Sequence, residues 1–230
     1  MLISHHHAFA FIHVPKTGGS SIAHALWSHA DHVDHYWANR CLAQIGIRVN
    51  HYAPARMRKF RPHTPAADLR RNLPAGMFEQ LFTFAFVRNP WDLLVSYYHF
   101  LRDASDHPDH ASHRRRHTAR LRDFEAYLRY EIRRGKISQT RMVADRRGRV
   151  LVNFLGRYES LRTDFDHACR CIGIDAPLGR TNASARGDYR DYYTDRLVAL
   201  VRDHFAEDIE RFGYEFSASG AAAPSVLRAA

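Results

Sequence analysis

The stretch FAFIHVPKTGGSS at residues 9–21 decides the fold of this chain. Its first six residues are mostly apolar and β-rich, and Pro15 ends the run. Ile22, Ala25 and Leu26 follow at the spacing of one helix face. The pattern therefore predicts a strand, a loop and a helix. Such a loop suits an anion, because the N–H groups at the start of a helix point toward negative charge.

The predicted loop carries the groups that bind phosphate in proteins, namely Lys16, Thr17, Gly18, Gly19, Ser20 and Ser21. Glycines let the backbone approach an anion closely, and the hydroxyls and the lysine add donors and positive charge. The order of residues differs from the P-loop motif GxxxxGK[ST], in which lysine follows the second glycine. Because Lys16 precedes both glycines, the loop is predicted to bind phosphate without being an ordinary P-loop.

A second strand-to-helix junction, FAFVRNPWDLLVSYY, occupies residues 84–98. An apolar run at 81–87 predicts a second strand, and Arg88 stands at its carboxyl end. Asn89 is typical of a helix N-cap, and Pro90 of the first helical position. The sequence therefore predicts that a helix begins at Pro90.

The helix after this junction combines an apolar face with polar residues. Its predicted buried face contains Leu94, Val95, Tyr98 and Leu101. Asp92 falls in the first turn, where a negative charge suits the helix dipole. Ser96 lies to the side of the apolar face. Arg88 and Ser96 are therefore predicted to hold one phosphate.

The rest of the chain fits an α/β domain in which strands and helices alternate. The further predicted elements are a helix containing Phe124, Leu128 and Ile132 with a stop at Gly135, a strand at 150–158, a helix at 161–172 closed by Gly173, and a final helix capped by Thr194. The final helix has an apolar stripe of Leu197, Val201, Phe205, Ile209 and Phe212, ending at Gly213. This alternation predicts a central parallel sheet flanked by helices, with ligands at the carboxyl ends of its strands.

The two junctions resemble a known family. PKTGGSS followed by FVRNPWDLLVS is similar to the 5′-phosphosulfate loop and the 3′-phosphate site of sulfotransferases that use 3′-phosphoadenosine 5′-phosphosulfate (PAPS), in particular carbohydrate-type sulfotransferase family 2. GRYESLRTDF at 156–165 and the segment at 182–216 are similar to later parts of that family. The resemblance implies a P-loop-like sulfotransferase fold over 9–216. It also implies transfer of a sulfuryl group from PAPS to a hydroxyl, or alternatively an amine, of a carbohydrate or small metabolite, without a metal.

The resemblance also implies roles for single residues. Lys16 is placed to stabilise the charge that grows on the leaving oxygen. His51 lies in NHYAPARMRKF, which looks like the family segment that carries a catalytic histidine, and is the candidate base; His13 is an alternative. Tyr158 is similar to the tyrosine that contacts adenine, although a core tyrosine fits equally well. Arg186 matches a second 3′-phosphate contact or an exposed loop arginine.

One residue departs from the family pattern. Many relatives have arginine immediately after the RNPxD segment, where this chain has Leu93. One charge near the donor or a subunit contact is therefore expected to be missing.

Composition and charge leave several partners open. The formal net charge of +10 fits an anionic donor, an anionic acceptor or nucleic acid. The basic residues Arg56, Arg58, Lys59 and Arg61 favour an anionic saccharide or form a solvated face. A P-loop-like small-molecule kinase and a polyanion-binding module are the alternatives. The sequence lacks the GK[ST] order and the acidic Mg²⁺ site expected of such a kinase. It also lacks a nucleic-acid-binding signature, so no nucleic-acid partner is expected.

The remaining expectations concern the ends of the chain and its compartment. Residues 1–8 and 217–230 are expected to be tails, the second flexible, with His5–His7 as part of an exposed tail rather than a metal site. The His- and Arg-rich stretch at 102–122 is expected to be a solvated insertion or an acceptor-binding lid. Three cysteines, no membrane span and no export signal favour free thiols and the cytoplasm.

Overall fold

The computed structural model describes residues 1–31, 60–102, 123–179 and 187–216, which form two compact units. Of these residues, the first unit contains those up to Val87 and those from Thr140 to 179, and the second contains the rest. The predicted phosphate loop belongs to the first unit, whereas Arg88 and Ser96 belong to the second.

A four-stranded sheet forms the centre of the first unit. Its strands are β1 (Leu2–Ser4), β2 (Phe9–Ile12), β3 (Phe82–Val87) and β4 (Phe154–Arg157), in the spatial order β1-β2-β3-β4. β2, β3 and β4 run parallel, and β1 runs antiparallel to β2. The predicted α/β fold with a central sheet and flanking helices is confirmed, and β1 makes the sheet mixed rather than purely parallel.

Residues 1–8 were expected to be a tail, but Leu2–Ser4 form the strand β1. Leu2 pairs with Phe11 and Ser4 pairs with Phe9. The side chains of Ile3 and Ser4 are buried. His5–His7 belong to the turn that joins β1 to β2 and are not part of a free tail. A strand of three residues is too short for its alternation to be read from sequence.

The three parallel strands bring their carboxyl ends to one edge of the sheet. Ile12 near the end of β2 is paired with Ala85 in β3, and Ala85 is paired with Leu155 in β4. The segments that leave β2 and β4 therefore start at the same edge, which is where parallel α/β sheets bind ligands. This register positions the loop after β2 and the turn after β4.

Aromatic packing holds β2 against β3. The rings of Phe11 and Phe84 have centroids 5.3 Å apart, and those of Phe9 and Phe84 are 6.1 Å apart. Phe86 continues the cluster, and all four side chains are fully buried. Burial of each such ring contributes about 2–3 kcal/mol relative to exposure. The two predicted strands are confirmed, although β2 ends two residues before the predicted limit.

The helices of the described residues are numbered in chain order. They are α1 (Gly19–Ala25), α2 (Ala66–Asn72), α3 (Met77–Gln80), α4 (Pro90–Arg102), α5 (Phe124–Arg134), α6 (Thr140–Val143), α7 (Leu161–Ile172), α8 (Asp195–His204) and α9 (Ala206–Phe212). In the first unit, α7 has the predicted limits. Gly173 ends it with φ 66°, a left-handed conformation that glycine adopts without strain.

Two helices of the second unit have the one boundary predicted for each, the start of α4 and the end of α5. α4 begins at Pro90, and the Asn89 Oδ1 atom accepts the Trp91 N–H at 3.1 Å. α5 is capped at its start by Asp123, whose side chain accepts the Ala126 N–H, and ends at Gly135. The helix start and stop signals of the sequence are therefore confirmed here.

Two predicted elements differ from the structure. The final helix is divided at Phe205 into α8 and α9, although the apolar stripe remains mostly buried. Thr194 is the N-cap residue of α8, but its side chain makes no capping hydrogen bond. The strand predicted at 150–158 is shorter, since β4 covers four residues and Val150 forms only an isolated bridge with Ala144. Apolar periodicity identifies a buried face but does not show where the backbone turns.

The remaining sequence expectations are tested only in part. Cys169 is buried and Cys171 exposed, and both are free thiols as predicted. In the described part of the chain, no helix has the length and hydropathy to cross a membrane, and no three His, Cys, Asp or Glu residues are grouped to hold a metal ion. Cys41, residues 103–122 and residues 217–230 lie outside the described ranges.

Candidate active site

The loop between β2 and α1 has an unusual backbone conformation. Lys16 has φ 66°, and Gly18, the N-cap residue of α1, has φ 81°. Glycine adopts such angles freely, but a residue with a Cβ atom pays about 1–3 kcal/mol. Lysine is not a residue that a turn of this kind selects for conformational reasons. Strained backbone at a residue other than glycine is often found at ligand-binding positions, although Ala8, in the turn before β2, also has a positive φ of 48°.

Hydrogen bonds inside the loop fix its shape. Thr17 is fully buried, and its Oγ1 atom donates to the carbonyl oxygen of Val14 at 2.9 Å. The Gly18 carbonyl oxygen accepts the N–H of Ser21 at 3.0 Å and that of Ile22 at 3.3 Å. The hydrogen bond donated by the Thr17 hydroxyl thus stabilises the loop from inside. Ser20 is exposed at the first turn of α1, and Ser21 is buried.

Both glycines of the loop are needed for packing, and Gly18 is also needed for its positive φ. A Cβ atom on Gly19 would lie 2.0 Å from the imidazole ring of His13, and one on Gly18 would lie 2.7 Å from the side chain of Leu161. The same position on Gly18 is 3.4 Å from the ring of Tyr158. Tyr158, in the 3₁₀ turn that follows β4, is therefore beside the loop. The structure brings these two predicted donor-binding elements together within the first unit.

Two histidines form a pair next to the loop. The ring centroids of His13 and His63 are 4.5 Å apart, and His63 Nδ1 lies 3.0 Å from the carbonyl oxygen of His13. A carbonyl oxygen only accepts, so Nδ1 donates and the basic lone pair of neutral His63 is on Nε2. Desolvation lowers the pKa of His13 to about 3, and it also lowers the pKa of His63. Both rings are therefore neutral near pH 7.

His63 is the residue of this region that the sequence analysis did not identify. Its contact with His13 joins positions 50 residues apart. The chain has 17 histidines, and no local spacing distinguishes His63 from the others. Its place three residues before α2, in the sequence PHTPAADL, was the available signal, but it does not indicate a neighbour just after β2.

The second predicted phosphate-binding site lies in the second unit. Arg88 is buried, and its Nε and Nη2 atoms lie 2.7 and 2.6 Å from the same oxygen, Oδ2 of Asp92. Ser96 is also buried, four residues beyond Asp92 and so on the same side of α4. Asp92 thus orients the guanidinium group, in addition to its predicted place in the first turn. Asp92 and Ser96 therefore share one side of α4, and Arg88, which precedes the helix, contacts Asp92.

The other site predictions have separate outcomes. Leu93, where many relatives have arginine, is buried in the second unit. A buried apolar side chain therefore lies at the position where a charge was expected to be missing. His51 and Arg186 lie outside the described residues, so their predicted roles stay predictions.

Comparison with protein families identifies the chain. A model of the sulfotransferase family matches residues 1–215, which is nearly the whole of it. The chain belongs to the sulfotransferase family. A search among curated proteins gives no significant match. The match includes both strand-to-helix junctions, and it supports sulfuryl transfer as the general activity of this sulfotransferase. It gives no support to the kinase or the polyanion-binding module as alternatives.

Proposed function

We propose that this sulfotransferase uses PAPS as its donor and transfers the sulfuryl group to a hydroxyl of a carbohydrate or small metabolite. The observation that carries the proposal is the left-handed Lys16 in the loop between β2 and α1. Backbone strain of this kind is concentrated at ligand-binding and catalytic positions. Membership in the sulfotransferase family agrees with it.

The loop is proposed to hold the 5′-phosphosulfate end of the donor. Backbone N–H groups of Gly18 and Gly19 and the Ser20 hydroxyl supply hydrogen-bond donors at the start of α1, while Thr17 braces the loop from inside. In an in-line transfer, negative charge grows on the bridging oxygen as the bond to sulfur breaks. The Lys16 ammonium group is proposed to stabilise this oxygen, which is an interaction that strengthens in the transition state.

Arg88 and Ser96 are proposed to bind the 3′-phosphate of the donor, since an arginine fork and a hydroxyl are typical phosphate ligands. Tyr158, beside Gly18, is proposed to contact the adenine ring, and Arg186 to supply a second contact to the 3′-phosphate. Among the proposed acceptors an anionic saccharide is favoured, because Arg56, Arg58, Lys59 and Arg61 add positive charge in one stretch of the sequence. The basic residues at 56–61 and the stretch at 102–122 are the proposed sources of its specificity.

A comparison of ligands tests the donor. We expect adenosine 3′,5′-bisphosphate to raise the melting temperature clearly, because a ligand that binds only the folded state stabilises it by mass action. ATP with Mg²⁺ and a DNA oligonucleotide serve as matched controls for the kinase and the polyanion-binding module. Stabilisation by ATP with Mg²⁺ or by the oligonucleotide, without an effect of the bisphosphate, contradicts the proposal. A panel of acceptors with labelled PAPS then identifies the acceptor.

A histidine is proposed to take the proton from the acceptor hydroxyl. His51 is the proposed base on the family resemblance. The described residues offer a comparator in His63, which is neutral near pH 7 and holds its proton on Nδ1 against the His13 carbonyl oxygen. No hydrogen bond to His63 Nε2 is seen within the described ranges. The roles of the two histidines can be tested one at a time, because a substitution at either position leaves the other histidine in place.

We expect His51→Ala to lower kcat by about 10²–10⁴-fold, the usual contribution of a general base, with little change in bisphosphate affinity. His51→Gln should not restore the rate, since an amide is not a comparable base. His63→Ala is the control variant, and kcat and the Kd of the bisphosphate are measured for each.

If His63→Ala lowers kcat and His51→Ala does not, the base is His63. The pH profile then gives an independent check. Desolvation disfavours the imidazolium form, so the lowered pKa of His63 keeps it neutral below its ordinary value of 6.5. The acid limb of kcat/KM would accordingly fall below pH 6.5 if His63 were the base.

A further inference from the structure

The backbone of Arg88 is held by the side chain of Gln139. The Arg88 N–H donates to Gln139 Oε1 at 2.8 Å, and Gln139 Nε2 donates to the Arg88 carbonyl oxygen at 2.7 Å. One amide group therefore satisfies both backbone groups of a single residue, across 51 positions of sequence. Both residues are buried, Gln139 at 1% exposure and Arg88 at 4%. Water therefore has little access to this pair of bonds.

Gln139 is itself held by a carboxylate. Its backbone N–H donates to Asp208 Oδ2 at 2.8 Å, and the Ser138 hydroxyl donates to Asp208 Oδ1 at 3.4 Å. Asp208 lies in α9 and is buried, with 3% of its surface exposed. The chain of contacts from Asp208 through Gln139 to Arg88 lies wholly within the second unit. A buried carboxylate needs hydrogen bonds, and two of those made by Asp208 go to the segment that carries Gln139.

Arg88 is thus fixed at two ends. Gln139 fixes its backbone, and Asp92 fixes its guanidinium group through two short contacts. Because Arg88 is buried, its backbone N–H and carbonyl groups need partners in any case, and here a single side chain supplies both. Fixing the backbone and the guanidinium group together suits phosphate binding, since charge-assisted hydrogen bonds are directional and an error of 1 Å is costly.

We propose that Gln139, supported by Asp208, is a positioning residue that aims Arg88 at the 3′-phosphate of the donor nucleotide. This inference rests on the proposed function, in which Arg88 binds that phosphate. Gln139 acts through Arg88 and does not touch the donor. Its loss therefore weakens only nucleotides that carry a 3′-phosphate.

The test compares two nucleotides by calorimetry. Gln139→Met keeps the volume of the side chain and removes both hydrogen bonds. We expect the Kd of adenosine 3′,5′-bisphosphate to rise about tenfold, while that of adenosine 5′-phosphate stays within about twofold. Asp208→Asn keeps the shape of the carboxylate but has one acceptor oxygen, and a smaller loss with the same selectivity is expected. The Asp208→Asn variant also tests the proposal if the Gln139→Met protein does not fold.

A matched control exists at the amino end of β3. Asn153 Oδ1 accepts both the N–H and the hydroxyl of Thr83 at 2.7 Å, so Asn153→Ala also removes a side-chain clamp on the backbone. This variant should lower the melting temperature without changing the ratio of the two affinities. Equal weakening of both nucleotides in a folded Gln139→Met or Asp208→Asn protein, or an unchanged bisphosphate Kd, overturns the proposal.

A background without the guanidinium group separates the two proposals. In the Arg88→Met, Asp92→Asn protein, the further change Gln139→Met should cause no additional loss of bisphosphate affinity, because the guanidinium group that Gln139 positions is absent. An additional selective loss contradicts the positioning role. If the Arg88→Met, Asp92→Asn protein itself keeps wild-type bisphosphate affinity, the assignment of Arg88 fails. If it loses that affinity but Gln139→Met does not, only the positioning role fails.

Discussion

Lys16→Ala is expected to lower the turnover of labelled PAPS by about 10²–10³-fold, the usual cost of removing one group that stabilises charge in the transition state. The loop itself should keep its shape. Hydrogen bonds of the Thr17 hydroxyl and the Gly18 carbonyl oxygen stabilise it. The Kd of adenosine 3′,5′-bisphosphate should change much less than kcat, because the interaction is strongest with the leaving oxygen.

The backbone angle at this position offers a sharper control. Lys16 has φ 66°, an angle that glycine adopts without strain. Lys16→Gly should therefore keep or raise the melting temperature while losing as much activity as Lys16→Ala. Lys136→Ala removes one positive charge from the segment after α5 and should leave kcat near wild type. Near-wild-type transfer by a folded Lys16→Ala or Lys16→Gly protein would rule out the catalytic role of Lys16.

Local signals in the sequence were sufficient to predict most of the elements. Pro90 marks the start of α4, and Gly135 and Gly173 mark the ends of α5 and α7, because proline and glycine restrict or free the backbone at single positions. The strands β2 and β3 follow from short apolar runs. Each of these signals acts within a few residues and does not depend on distant parts of the chain.

Contacts between distant residues could not be predicted in this way. β1 is recognised only through its pairing with β2, and the division between α8 and α9 at Phe205 leaves no mark in the apolar stripe. The same reason hides the polar contacts of the candidate site. His63 meets His13 and Gln139 meets Arg88 across 50 and 51 positions, respectively, and no periodicity connects them.

The predicted site itself depended on two kinds of inference. Glycines and hydroxyls between a strand and a helix indicated a phosphate loop on physical grounds. The assignment of Lys16 to a leaving oxygen, and of Tyr158 to adenine, came from the family resemblance. The structure adds an observation that neither kind of inference supplied, the left-handed backbone of Lys16. That conformation is set by the whole loop, so residue type alone does not reveal it.

Loss of the Arg88 guanidinium group is expected to raise the Kd of adenosine 3′,5′-bisphosphate by about 10- to 150-fold, since hydrogen bonds to charged groups contribute about 1.5–3 kcal/mol. A simple Arg88→Ala variant is a poor test. It breaks the ion pair of Arg88 with the Asp92 carboxylate, which is only 15% exposed, and breaking a buried pair costs about 3–5 kcal/mol of stability. The variant Arg88→Met with Asp92→Asn removes both charges together and should stay folded.

Ser96→Ala provides the second measurement on the same phosphate. A neutral hydrogen bond contributes about 0.5–1.5 kcal/mol, so a rise of about two- to tenfold in the bisphosphate Kd is expected. Adenosine 5′-phosphate should bind both variants almost as well as the wild type, because it lacks the group that Arg88 and Ser96 are proposed to hold. Calorimetry that shows equal losses for both nucleotides would mean that Arg88 and Ser96 do not recognise the 3′-phosphate. Arg88 would then be a structural partner of Asp92, and the 3′-phosphate contact would have to come from another basic residue.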